Sequence, residues 1–236
     1  MGKDVIIACD FANAAEVFGF LDLFTERRPF VKIGLELFCA EGPEIVRGIK
    51  RRGHKIFLDL KLHDIPNTVK KAMAVLSGLD VDICNVHAGG TVNMMRAALE
   101  GLTRPDGTRP LLIAVTQLTS TDQQTMENDL LINAPMEEVV MHYACNAKIA
   151  GLDGVVCSPL ECGKVHAACG AGFITVTPGI RFAENNKGDQ KRIMTPSAAR
   201  EVGSDYIVVG RPITASDDPV AAYKRCCNEF IERKDD

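Results

Sequence analysis

The chain lacks an apolar run of about eighteen residues or more, the length a helix needs to cross a bilayer. Its opening, Met1-Gly2-Lys3-Asp4 and a short apolar stretch to Cys9, also lacks the apolar length and cleavage site of a secretory signal, so a cytoplasmic protein is expected. A basic excess is missing too. Lys and Arg number 27 against 31 Asp and Glu, a net charge of -4, which argues against a nucleic-acid or membrane-surface footprint and leaves room only for a local basic pocket. No Gly-x-Gly-x-x-Gly follows the first apolar run, which ends instead in Asp10-Phe11-Ala12, so the dinucleotide fingerprint is excluded. Metal-ligand spacing is absent as well: Cys157, Cys162 and Cys169 are not paired two residues apart, and neither His63 nor His87 has a partner at ligand spacing. The nine cysteines are an odd count, and Cys9, Cys84 and Cys157 fall within apolar runs where a free thiol packs as a small hydrophobe, so disulfides are not expected. With no low-complexity tract, linker or short repeat, and with 46% of the chain hydrophobic, residues 1–236 read as a single domain with ample core.

What is present is alternation. Short apolar runs at Val5–Cys9, Phe30–Gly34, Lys55–Leu60, Val81–Val86, Leu111–Val115, Gly154–Cys157, Phe173–Val176 and Tyr206–Val209 read as strands. Helical patterns lie between and after them at Ala14–Arg27, Pro43–Arg52, Pro66–Leu79, Val92–Leu99, Met136–Ala150, Pro159–Ala168, Ser197–Val202 and Pro219–Arg233, several opened by proline. Strand then helix, eight times, spells an α/β fold of the (β/α)8 TIM-barrel kind. An open doubly wound sheet would share the alternation but wants the missing fingerprint.

In such a barrel the chemistry sits at the carboxyl ends of the strands, and polar residues gather there: Asp10, Lys32, Asp59, Lys61, Asn85, His87, Thr116, Gln117 and Thr119. The densest group is Asp59-Leu60-Lys61-Leu62-His63-Asp64, directly after an apolar run. Period-two alternation puts Asp59 and Lys61 on one side and Leu58 and Leu60 on the other. A lysine beside a carboxylate stays protonated, and Lys32 on the neighbouring strand extends the chain of alternating charge. Asp64 lies past the strand, where it can turn back or reach across an interface. A structural salt-bridge network is the plain alternative; a preorganised field that stabilises a carbanion is the functional one.

At the other side, Thr177-Pro178-Gly179-Ile180-Arg181 and Val209-Gly210-Arg211 follow strands seven and eight, where barrels commonly bind phosphate. Arg211, next to its glycine, is the stronger phosphate ligand, with Arg181 capping the pocket or anchoring the loop. The polar segment between Phe182 and Arg192 reads as a lid, and Ser120–Asn133 as a second rim element or a solvated loop with a short helix. His87 is expected to be a hydrogen-bonded histidine near the site, His63 to orient its loop, and His54, His142 and His166 to lie at the surface or on helices.

Together Phe30-Val31-Lys32-Ile33-Gly34, Asp59-x-Lys61-x-x-Asp64-Ile65-Pro66-Asn67-Thr68, Thr116-Gln117-Leu118-Thr119-Ser120, Thr175-Val176-Thr177-Pro178-Gly179-Ile180-Arg181 and Ile207-Val208-Val209-Gly210-Arg211 closely resemble the orotidine 5′-phosphate decarboxylases of the bacterial type, from about Val5 to Tyr223. The resemblance implies decarboxylation of orotidine 5′-phosphate to uridine 5′-phosphate in pyrimidine biosynthesis, with neither metal nor organic cofactor. It implies that Lys61 protonates the C6 carbanion and that Asp59 sits against the leaving carboxylate. By the same resemblance Lys32 and Asp59 hold the ribose and the charge network, Asp10 binds the ribose and Thr119 meets the pyrimidine. Gln190 would bridge base and phosphate from the lid, while Arg181, Gly210 and Arg211 serve the phosphate. Asp64 and Thr68 would come from the second subunit of a homodimer. Sugar-phosphate decarboxylases and aldolases with a similar Asp-x-Lys-x-x-Asp strand use magnesium held by a carboxylate on strand two, where this chain has Lys32. A silent nucleotide-binding barrel would be expected to have lost Lys61, Asp59 or Asp64, and all three are present.

Overall fold

The computed structural model describes residues 3–184 and 194–231. Eight strands, β1 (Asp4–Ala8), β2 (Phe30–Ile33), β3 (Ile56–Leu62), β4 (Ile83–His87), β5 (Leu111–Val115), β6 (Gly154–Val156), β7 (Ile174–Thr177) and β8 (Tyr206–Val209), each pair in parallel with the next. The ring closes where β1 meets β8, Ile6 opposite Val208. This is the expected TIM barrel.

Alternation along each strand sorts side chains into two cores. Ile6, Phe30, Phe57, Ile83, Ile113, Ile174, Val176, Tyr206 and Val208 point inward and fill the barrel. Their neighbours Val5, Ile7, Val31, Leu58, Cys84, Leu112, Val155 and Ile207 point outward and pack under the helices. Each fully buried Phe, Ile or Leu contributes about 1.5–3 kcal/mol relative to exposure.

The helices are α1 (Ala14–Asp22), α2 (Leu35–Glu41), α3 (Pro43–Arg51), α4 (Pro66–Ser77), α5 (Thr91–Leu102), α6 (Gln123–Leu130), α7 (Met136–Ala150), α8 (Cys162–Cys169), α9 (Pro196–Glu201), α10 (Arg211–Thr214) and α11 (Pro219–Phe230). Proline opens α3, α4, α9 and α11, where its missing N–H costs nothing. Side chains of Asn13, Asp122, Thr195 and Asp218 cap α1, α6, α9 and α11.

Several boundaries differ from the sequence reading. The first helix stops at Asp22, short of Arg27, ahead of a connection that ends in Pro29. A helix not anticipated, α2, follows β2 and breaks from α3 at Gly42, whose φ of 64° only glycine adopts without strain. The stretch Ser120–Asn133 does contain the short helix that one of its two readings allowed, α6. Residues Pro159–Glu161 form a 3-10 turn ahead of α8 instead of joining it. The last helix is seen to Phe230, and Arg233 lies outside the described residues.

Helices α4 and α5 lie so close that a Cβ on Gly101 would stand 2.0 Å from the Lys70 carbonyl oxygen. All nine cysteines are free thiols. No described helix is long and apolar enough to cross a membrane. The first and last described elements also touch, with the Lys3 ammonium 5.4 Å above the Phe230 ring.

Candidate active site

The inward parity of the barrel core continues upward into the site. On β2 it runs from Phe30 to Lys32, on β3 from Phe57 to Asp59 and Lys61, and on β4 from Ile83 to Asn85; beyond β5, Ile113 leads to Gln117. Apolar side chains therefore floor a cavity of about 170 Å³ whose walls include Lys32, Asp59, Lys61, Gln117, Thr119 and Cys157. Leu58 and Leu60 face the outer layer, as period two requires.

Asp59 is the hub. Its Oδ1 lies 2.7 Å from Lys61 Nζ and its Oδ2 3.4 Å from Lys32 Nζ. Lys32 Nζ also donates to Asp10 Oδ1 at 3.0 Å, so its charge sits between two carboxylates. Burial opposes ionisation of Asp59, but the charges of Lys32 and Lys61, with hydrogen bonds from Lys61 and Asn85, outweigh it and hold the carboxyl below its usual range. Desolvation likewise works against a charged Lys32, and Asp59 and Asp10 overcome it, raising the ammonium's pKa. The magnitudes explain the outcome: an ion removed from water costs several kcal/mol, whereas each close pair returns on the order of 4 kcal/mol, and Asp59 has two such partners.

Asn85 was visible in the sequence only as one polar group among several at the strand ends. It is 1% exposed. Its Nδ2 donates to Asp59 Oδ1 at 2.6 Å, and its Oδ1 accepts the backbone N–H of Lys61 at 2.8 Å. Lys61 itself has a φ of 51°, in the left-handed region, and the pairing of β3 with β4 shifts register between Leu58 and Leu62. Simple strand alternation hides both features.

Asp64 and Thr68 lie on the exposed turn and first helical turn after β3, with Ile65 between them 66% exposed. Asp64 Oδ1 accepts from the Ile65 N–H at 2.6 Å. At the opposite rim Arg181 is buried and donates to the Ile180 carbonyl at 2.8 Å, while Arg211 is exposed beside Gly210, the N-cap of α10. The segment after Arg181 is tied at its base: the Arg181 N–H donates to the Met194 carbonyl and the Met194 N–H to that of Gly179. Most of the expected lid, Gln190 included, lies outside the described residues.

His87 accepts the Gly89 N–H and its ring stacks on His63, centroids 5.6 Å apart. Burial, with the nearby His63 and Lys61, lowers the pKa of His87. His54, expected at the surface or on a helix, is instead 1% exposed, its Nδ1 bonded to the Pro29 carbonyl at 2.9 Å. It lies two residues before Ile56, where β3 begins, and its bond to Pro29 ties it to the connection that leads into β2.

Residues 3–226 match the model of the orotidine 5′-phosphate decarboxylase / HUMPS family. The chain is 53% identical over 233 residues to an orotidine 5′-phosphate decarboxylase of Geobacillus sp. (strain WCH70), covering 98% of each. It is 55% identical over 227 residues to the enzyme of that name from Bacillus anthracis (strain CDC 684 / NRRL 3495), covering 95% of each. Among solved structures, that of orotidine 5′-phosphate decarboxylase from Lactobacillus acidophilus superposes with a TM-score of 0.87 at 41% identity, over 98% of this chain and 100% of that one.

Proposed function

Since the chain belongs to the orotidine 5′-phosphate decarboxylase / HUMPS family, we propose that it removes the C6 carboxyl of orotidine 5′-phosphate as carbon dioxide and releases uridine 5′-phosphate, in pyrimidine biosynthesis and without metal or organic cofactor. The observation that carries this reading is the alternating row Asp10, Lys32, Asp59, Lys61, closed by contacts of 3.0, 3.4 and 2.7 Å.

The substrate carboxylate lies against Asp59, and like charge disfavours the bound ground state. When the C6–carboxyl bond breaks, its electron pair stays on C6 in the ring plane, with no conjugated sink. The Lys61 ammonium offsets that charge and then delivers a proton to C6, becoming a neutral amine that solvent reprotonates. Lys32 keeps Asp59 ionised and, with Asp10, holds the ribose. Thr119 meets the pyrimidine; Arg211, Gly210 and Arg181 serve the phosphate, and Gln190 joins base to phosphate. Binding the phosphate far from C6 supplies energy that closes the site around the charges.

In this reading the protein is a homodimer, with Asp64 and Thr68 completing the partner's site; their exposure beside Ile65 supports it. A cytoplasmic location is supported by the nine free thiols. Against a magnesium-dependent relative of the family, the Lys32 ammonium already fills the space between Asp10 and Asp59. The test is loss of orotidine 5′-phosphate absorbance with purified protein and a metal chelator. Full turnover is expected. Turnover that vanishes with chelator and returns with magnesium would overturn the metal-free mechanism, and none under either condition would overturn the reaction.

A further inference from the structure

We propose that Asn85 is a positioning residue for this decarboxylation, fixing both the backbone of Lys61 and the carboxylate of Asp59 through one buried amide. The inference rests on the decarboxylase reading. Its first support is the orientation of the amide, which is unambiguous. Oδ1 lies 2.8 Å from a backbone N–H, which can only donate, and Nδ2 lies 2.6 Å from a carboxylate oxygen, which can only accept. Neither end can be flipped without losing both bonds.

The second support is the strain on Lys61. A non-glycine residue at φ 51° costs about 1–2 kcal/mol, and where β3 shifts register against β4 the Lys61 N–H bonds a side chain. Asn85 Oδ1 takes that N–H. Without it a buried donor would go unpaired and the backbone would lose the bond that offsets its strain. The third support is that Asp59 Oδ1 is shared: it receives the Lys61 ammonium at 2.7 Å and the Asn85 amide. Asn85 thus sets where the proton donor sits relative to the group that faces the leaving carboxylate, without touching substrate itself.

The amide of Asn85 meets both demands at once. Alanine would leave the N–H and the carboxylate oxygen unserved. Aspartate would keep the acceptor for Lys61 but set a second carboxylate oxygen against Asp59, and two such groups share a proton. The charged groups facing Asp59 are otherwise Lys61 on its own strand and Lys32 on β2, with Asp10 beyond Lys32. None of these replaces the donor that Asn85 supplies.

The experiment compares Asn85→Ala and Asn85→Asp with the wild type. For Asn85→Ala, kcat should fall about 100-fold, the scale of a 1 Å misplacement, with KM for orotidine 5′-phosphate within about threefold because phosphate and ribose contacts are untouched. For the near-isosteric Asn85→Asp, the acid limb of the kcat profile should move up by about one pH unit or more, and 13C NMR of the ligand-free protein should show a new carboxyl titration above pH ~5. A residue that only supports the fold would lower activity evenly across pH and leave the limb in place. Asn85→Ala with kcat within threefold of wild type, or Asn85→Asp with an unmoved limb and no new titration, would overturn the proposal. If Asn85→Ala fails to fold, the Asp variant decides alone. A wild type that does not decarboxylate would remove the functional reading, and the NMR titration would still report whether Asn85 governs Asp59.

Discussion

Lys61 carries two burdens in one residue, an ammonium paired with Asp59 and a left-handed backbone. Lys61→Ala should abolish turnover while the barrel stays folded, read by kinetics beside circular dichroism. Lys61→Gly removes the same charge but accepts the backbone conformation, so comparing the two variants isolates the strain. Glycine normally costs a strand or helix about 0.5–1 kcal/mol against alanine; here the order should reverse by about 1 kcal/mol, placing the glycine variant roughly 2–4 °C above the alanine one in Tm. The charges were legible in the sequence because period-two spacing puts residues 59 and 61 on one face. The strain was not, since nothing in Asp-Leu-Lys marks it; it follows from the shifted pairing with β4 and from Asn85. Acid stability is also set residue by residue. Asp59, with its pKa held down, contributes stability above the ordinary carboxyl value of 3.8 and loses it as pH falls through its lower folded value. Lys32 contributes below 10.5 and loses its share as pH rises through its raised folded value. The first loss on acidification comes earlier, from His54 and His87, whose folded pKa values lie below 6.5: the unfolded chain takes up the proton first. His54 Nε2 is buried without a partner, so a proton there finds no acceptor. Urea midpoints should therefore decline from pH 6.5 toward 5, and His54→Leu should flatten that decline; an unchanged slope would remove His54 as its source.

At the scale of elements, the strands were easier to read than the helices. A core strand declares itself by an unbroken apolar run, whereas α2 and α10 are one- or two-turn pieces whose sequences, Leu35–Glu41 and Arg211–Thr214, carry no long period. Their order comes from the barrel rim they sit on. Helix packing was equally invisible, because Gly101 reads as a weak helix residue and not as a contact. In the structure the glycine lets the backbone of α4 approach, and Gly101→Ala sets two effects against each other. Propensity gains about 1 kcal/mol, while a Cβ 2.0 Å from the Lys70 carbonyl oxygen must push two helices apart at about 3 kcal/mol. The clash wins, and Tm should fall by roughly 4–8 °C in a thermal melt. A rise would mean that the α4–α5 pair yields easily.

At the scale of the whole molecule, strands from β2 round to β8, or the connections just after them, line one barrel mouth, so the strand-end polar groups Lys32, Asp59, Lys61, Gln117 and Thr119 come together there. The sharing of that mouth between subunits is the proposal a mixing experiment can test. Lys61→Ala and Asp64→Ala, each inactive alone, should on co-refolding yield a mixed dimer with one site carrying both changes and one carrying neither. Activity should return to roughly a quarter of wild type for statistical pairing of two-fold partners. No recovery would place Asp64 in its own subunit's site or remove it from the reaction. Finally, the closure of β1 on β8, with Lys3 resting on Phe230, makes the strand sequence cyclic. A ring of staves has no privileged first member: a permuted chain, its present extremities fused and a new break cut at the exposed turn around Gly107, retains every neighbour relation that assembles the charged mouth.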